Sequence, residues 1–238
     1  NNKNKCDLDV LGEKHMERKW YLDLWALIRE PFKRGIPEIV EFGTIQRGFA
    51  ATVAMVAIAL VFSAITELLL AYVFGVHIAR LGSVMGQFAG QGIMSLTLGL
   101  IGTFATLAIY SVIFSQVANK FGAHTNYESV LKICWYQSAY TQFLSIMIGL
   151  IEIVLIIVAK GLGFYEASST LGLTIFNYFF QIVNLGTFIW FLWVSLSLMA
   201  RQIEKGRLAT FGIGLLASLI PVAFIGILVG MVMLATSR

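Results

Sequence analysis

Residues 48–73 read Gly48-Phe-Ala-Ala-Thr-Val-Ala-Met-Val-Ala-Ile-Ala-Leu-Val-Phe-Ser-Ala-Ile-Thr-Glu-Leu-Leu-Leu-Ala-Tyr-Val73, with Arg47 before them and Glu67 as the single charge within. A helix needs about 20 apolar residues to cross the hydrocarbon core of a bilayer, and this run exceeds that length. Four more runs of the same character follow at 91–117, 133–159, 171–199 and 211–234. Inside hydrocarbon every backbone N–H and C=O must be bonded within the protein, which leaves helices or closed barrels. Continuous apolar runs, rather than alternation of period two, select helices. The expected fold class is therefore all-α: a polytopic membrane protein with five moderately tilted transmembrane helices.

Composition points the same way. Of 238 residues, 58% are hydrophobic and only 13% charged, about half the charge of an ordinary soluble domain. Mean hydropathy is +0.81. The net charge of +4 comes from basic residues that flank the apolar runs, so the lipid bilayer with its anionic head groups is the expected partner, and no nucleic acid. Residues 1–19 are polar and the first apolar run is too long for a signal peptide, so no secretory signal is expected. Cys6 and Cys134 supply neither a metal framework nor a disulfide framework.

Lys and Arg set the orientation. Of the 17 basic residues, all but Arg80, Lys160 and Arg238 fall before the first run, between runs two and three, or between runs four and five. The positive-inside rule then places the N-terminus in the cytoplasm and, after five crossings, the C-terminus outside the cell inner membrane. Two regions are expected: a cytoplasmic segment, 1–47, and a transmembrane domain, 48–238.

Within the first region Trp20, Leu24, Leu27 and Ile28 share a helical face, which Tyr21, Trp25 and Phe32 widen. Lys33 and Arg34 stand at its end with Arg18, Lys19 and Arg29. This is the composition of an amphipathic helix lying in the membrane interface, with Trp20, Tyr21, Trp25, Lys33 and Arg34 as interface residues. Pro31 is expected to end it and Pro37 to mark a second break. It reads either as an anchor or as a helix that docks a partner.

Between runs two and three the chain reads Phe121-Gly-Ala-His-Thr-Asn-Tyr127, then Tyr136-Gln-Ser138 further on. Gly122 allows the backbone to reverse, Asn126 can cap a helix beginning at Tyr127, and Glu128 suits its first turn. The stretch Phe121–Tyr140 resembles the signature of the Yip (Ypt-interacting protein) domain family in its prokaryotic form. Phe121 and Gly122 match its turn, Tyr127 its aromatic position, and Tyr136 with Ser138 its Tyr-Ser-like pair. Ala123 stands where the family has a second Gly, and the eukaryotic Asp-Leu-Tyr-Gly-Pro motif is absent. The segment from Trp25 to Pro31 is also similar to prokaryotic members. The resemblance implies a five-span bundle with a cytoplasmic N-terminus and a short external C-terminus; it implies no particular activity.

Polar residues inside the apolar runs are the remaining candidates. Glu67 in run one and Glu152 in run three are expected at similar depth in the outer half of the bilayer. There a lone carboxylate must be protonated, paired or hydrated. Asn177, Gln181 and Asn184 share one face of run four near the same level. These five are the candidate ligand or ion residues, with interhelical hydrogen bonding as the other reading. A second group, Gln116, Asn119, Gln137, Ser138, Thr141 and Gln142, is expected to cross-bond runs two and three at the inner side. Gly82, Gly86 and Gly90, and likewise Gly226 and Gly230, are spaced for close helix contact. No hydrolase, zinc-protease or phosphate-binding motif is present. No catalytic residue, metal or cofactor is therefore expected. The sequence reads as a non-enzymatic scaffold or an accessory subunit of a larger membrane complex, partnered by other membrane subunits or by itself. The alternative is a small transporter or channel built around Glu67 and Glu152.

Overall fold

The computed structural model describes residues 19–73, 78–161 and 170–236. Side chains are described for all of these except 78–97, 170–173, 175–177, 224–226, 228–230, 232 and 234–236. The elements are α1 (Trp20–Arg29), a π-helical turn (Pro31–Gly35), α2 (Ile36–Phe42), α3 (Ile45–Val73), α4 (Ile78–Lys120), α5 (Tyr127–Gly161), α6 (Thr170–Gln202) and α7 (Arg207–Thr236). The protein is all-α, and no strand occurs among the described residues. Among the described residues, four stretches are long and apolar enough to cross a membrane: Ile45–Val73, Leu98–Lys120, Tyr127–Gly161 and Tyr178–Gln202. The fifth apolar run lies on α7, whose described apolar part is Arg207–Ala223. Large apolar side chains such as Val61, Ile101, Val154 and Ile182 face outward along these helices. Contiguous surfaces of this kind mark contact with a membrane or with another protein rather than with water.

Helix α4 is longer than the run that predicts it. It begins at Ile78 rather than near residue 91 and continues for 43 residues, roughly 65 Å at 1.5 Å per residue. No proline falls within it, and its early glycines cost propensity without removing a hydrogen-bond donor. The two prolines of the N-terminal segment act differently from each other. Pro31 follows the end of α1, as expected, and opens the π-helical turn. Pro37 does not break the chain; it sits in the first turn of α2, where its missing N–H has no intrahelical acceptor.

Close contacts fix the register of the bundle. A Cβ at Gly48 would lie 2.9 Å from the Trp135 Cβ, and one at Gly149 would lie 2.8 Å from the Phe62 ring. Both contacts join α3 to α5 at the same sequence offset, so these helices run parallel. Helix α6 runs antiparallel to α5: Gln137 Nε2 donates to the Ser195 carbonyl at 2.9 Å, and Trp190 Nε1 donates to the Tyr140 hydroxyl at 2.8 Å. Thus Gln137 joins the third and fourth runs and not the second and third. Helices α4 and α5 meet instead through Ser111 Oγ and Cys134 Sγ, 3.7 Å apart.

The tightly packed core lies at one end of the bundle. Helix α5 is buried almost all round there, through Val130, Leu131, Ile133, Cys134, Trp135, Tyr136, Ala139 and Tyr140. Leu24, Leu27, Ile36 and Ile39 of the N-terminal helices join the same cluster, with Phe114, Val194, Leu198 and Ile213.

Candidate functional site

The N-terminal helices meet this end of the bundle through charged side chains. Asp23 lies on the buried face of α1 beside Leu24 and Leu27 and is only 1% exposed. The Tyr136 hydroxyl of α5 donates to Asp23 Oδ2 at 2.6 Å, and Arg47 Nη1 stands 3.4 Å from the same oxygen. Arg47 is the third residue of α3. Its backbone N–H donates to Thr44 Oγ1 at 3.2 Å, making Thr44 the cap of that helix. Its guanidinium also donates to the Phe42 carbonyl at the end of α2. Lys132 of α5 donates to the Val40 carbonyl at 2.8 Å. One carboxylate, two cations and one phenol thus tie α1, α2, α3 and α5 together. A buried carboxylate is tolerated only with this kind of pairing and hydrogen bonding.

The π-helical turn sets the angle between α1 and α2. Arg34 and Gly35 both donate to the Glu30 carbonyl at 3.0 Å. A Cβ on Gly35 would sit 2.4 Å from the Leu27 Cα, so only glycine fits where the turn folds back on α1. The tip of the turn reaches α6 and α7. Phe32 meets Trp190 edge to face at 5.9 Å, and the Arg207 guanidinium lies 5.8 Å from Phe32 and 4.4 Å from Trp193.

The interface residues proposed from sequence divide between two surroundings. Trp20 packs partly on the core together with Ile28. Tyr21 and Trp25 are exposed, as are Leu22 and Phe32. Lys33 and Arg34 are exposed at the turn, and Arg34 pairs with Glu38 at 3.3 Å. The apolar stripe of Leu24 and Leu27 therefore faces protein, while a second apolar strip faces outward.

The motif loop is a well-bonded turn. Gly122 has φ +74, a left-handed conformation that favours glycine. The Asn119 side chain donates to the Thr125 carbonyl and accepts from the Thr125 N–H, and Asn126 Oδ1 accepts from the Ser129 N–H at 2.8 Å, capping α5. Phe121 and Tyr127 are exposed, whereas Tyr136 is the buried partner of Asp23. Gly122 faces Lys205, so this loop lies beside the α6–α7 turn. With the Lys132–Val40 bond, the three most basic segments come together at one end.

The candidate ligand residues lie elsewhere. The parallel register of α3 and α5 brings Glu67 and Glu152 to similar depth, and the antiparallel register of α6 carries Asn177 and Gln181 to that level. Glu67 and Gln181 are exposed, and Glu152 and Asn184 are half-buried. The side chain of Asn177 lies outside the described ones. Neither Glu67 nor Glu152 makes a hydrogen bond or ion pair with another described residue. No group of three potential metal ligands occurs among the described residues. The glycines 82, 86, 90, 226 and 230 lie on helices whose side-chain surroundings are not described there.

Sequence reasoning did not single out Asp23, Arg47 or Lys132 as a set. One signal was available: Asp23 sits between Leu22 and Leu24, on the stripe that also carries Leu27. An acid on the apolar face of a short helix asks for a cation across the contact.

No family model matches the chain, and no curated protein and no solved structure matches it.

Proposed function

We propose that this chain is a non-enzymatic integral membrane scaffold or accessory subunit, a five-span bundle of the prokaryotic Yip type. In this reading the N-terminal helices face the cytoplasm, the C-terminus lies outside, and the protein resides in the cell inner membrane. One observation carries it. The Asp23–Arg47–Tyr136 cluster holds α1 in a fixed pose on the bundle while Tyr21, Leu22 and Trp25 point away from it. Rigid, exposed aromatic side chains are the residues that anchor protein interfaces and membrane interfaces. A helix meant only to float on lipid needs no buried ion pair to orient it. Capture in mild detergent followed by mass spectrometry tests the idea. The wild-type chain is expected to bring down a membrane subunit that the Tyr21→Ala/Trp25→Ala variant does not. A wild-type chain that purifies alone as a stable monomer would overturn it.

The shared depth of Glu67 and Glu152 favours a second reading, a small transporter or channel. Proteoliposomes should then show ion or proton flux that Glu152→Gln reduces, and flux that is absent from the wild type removes this reading.

A further inference from the structure

Between α6 and α7, on a floor made by α4 and by Gln137 of α5, runs a groove of about 300 Å³. Phe191, Met199, Phe211 and Leu215 make it apolar, and Gln137 and Ser195 add polar groups. Ser195 Oγ is buried without a hydrogen-bond partner among the described residues. Phe211 and Leu215 are half-exposed, so the groove opens on the outside of the bundle. Its volume is at the small end of the roughly 300–1,000 Å³ typical of ligand sites, which are likewise mostly apolar with a few placed polar groups. An apolar groove that opens between membrane helices is filled by hydrocarbon.

Toward the α6–α7 turn the chain forms a second hollow of about 810 Å³, whose lining includes Arg201, Lys205, Arg207, Glu41 and Glu204. Arg201 and Lys205 have no carboxylate partner among the described residues. Arg207 stacks its guanidinium face on Trp193 at 4.4 Å, which leaves its N–H edge available to an oxyanion. Three cations against two carboxylates leave one net positive charge. That matches a single phosphodiester and disfavours a head group carrying several phosphates.

We propose that the α6–α7 hairpin binds one anionic phospholipid, with an acyl chain in the groove and its phosphodiester at Arg201, Lys205 and Arg207. The site is separate from the exposed strip of α1, so its fate does not depend on the scaffold reading.

Native mass spectrometry of the full chain in mild detergent, offered equal amounts of phosphatidylglycerol and phosphatidylcholine, tests it. The wild type should retain one phosphatidylglycerol per chain in preference to phosphatidylcholine. Arg201→Gln and Lys205→Gln should each lower that preference about fivefold, the worth of one interfacial cation. At Gly214 a Cβ would meet Tyr110 and Phe114 only at ordinary contact distance, so a side chain can start from this position beside the groove. Gly214→Phe should fill the groove and abolish retention. Ser218→Leu, at an exposed position along the same groove, replaces it if the helical circular dichroism of Gly214→Phe is lost. Equal retention of the two lipids by the wild type, or retention unchanged when the groove is filled, overturns the proposal.

Discussion

Asp23 shows how much one residue decides in this protein. It is the buried charge of a short helix, and both of its named partners lie on other helices. Removing one member of a buried pair leaves the other uncompensated, which costs about 3–5 kcal/mol. Asp23→Ala is therefore expected to destabilise the fold in detergent by an amount of that order, and Tyr136→Phe by about 1.5–3 kcal/mol, both read from thermal melts. The double variant Asp23→Ala/Arg47→Ala should cost less than the two single changes added together, and strict additivity would show that the contact carries no coupling. Gly48 decides packing in the same way. Because a Cβ there meets Trp135 at 2.9 Å, Gly48→Ala is expected to cost about 1–3 kcal/mol through overpacking, read from the same melts. A variant as stable as wild type would mean that α3 and α5 are less closely apposed.

At the scale of the element, α1 separates what periodicity can say from what it cannot. The 3.6-residue spacing correctly groups Trp20, Leu24, Leu27 and Ile28 on one face. It does not reveal what covers that face, because lipid tails and a protein core are equally apolar. The structure puts the bundle against Leu24 and Leu27 and leaves Tyr21 and Trp25 outside. Leu27→Ala is accordingly expected to cost about 2–5 kcal/mol. Tyr21→Ala and Trp25→Ala should each stay within about 0.5 kcal/mol of wild type in detergent. The reverse order in thermal melts would mean that α1 is turned the other way. The motif loop was legible for a different reason: its Gly, Asn and Glu act through bonds to residues nearby in sequence, and such local chemistry can be read without a partner helix.

For the whole molecule the distribution of cations makes the decisive prediction. The segment before α3, the α4–α5 loop and the α6–α7 turn meet at one end, as Lys132 on Val40, Gly122 against Lys205 and Arg207 over Phe32 show. In the proposed threading α6 crosses the bilayer between them, so Lys205 and Lys160 should react with an impermeant amine reagent from opposite faces of sealed vesicles. Reaction of both from the same face would overturn that threading. That the well-packed core sits at this end was not legible from hydropathy, because the runs stay apolar along their whole length.

Chain composition and the length of each apolar run determine that this protein is helical and lives in a membrane, because the hydrogen-bonding demand of the backbone in hydrocarbon acts on every residue alike. Local chemistry determines its turns and caps. Only the tertiary structure decides which apolar faces meet protein and which meet lipid, and that Asp23, Arg47 and Tyr136 form one cluster. Those outcomes depend on residues far apart in the chain, and their pairing energy exists only once the helices have packed.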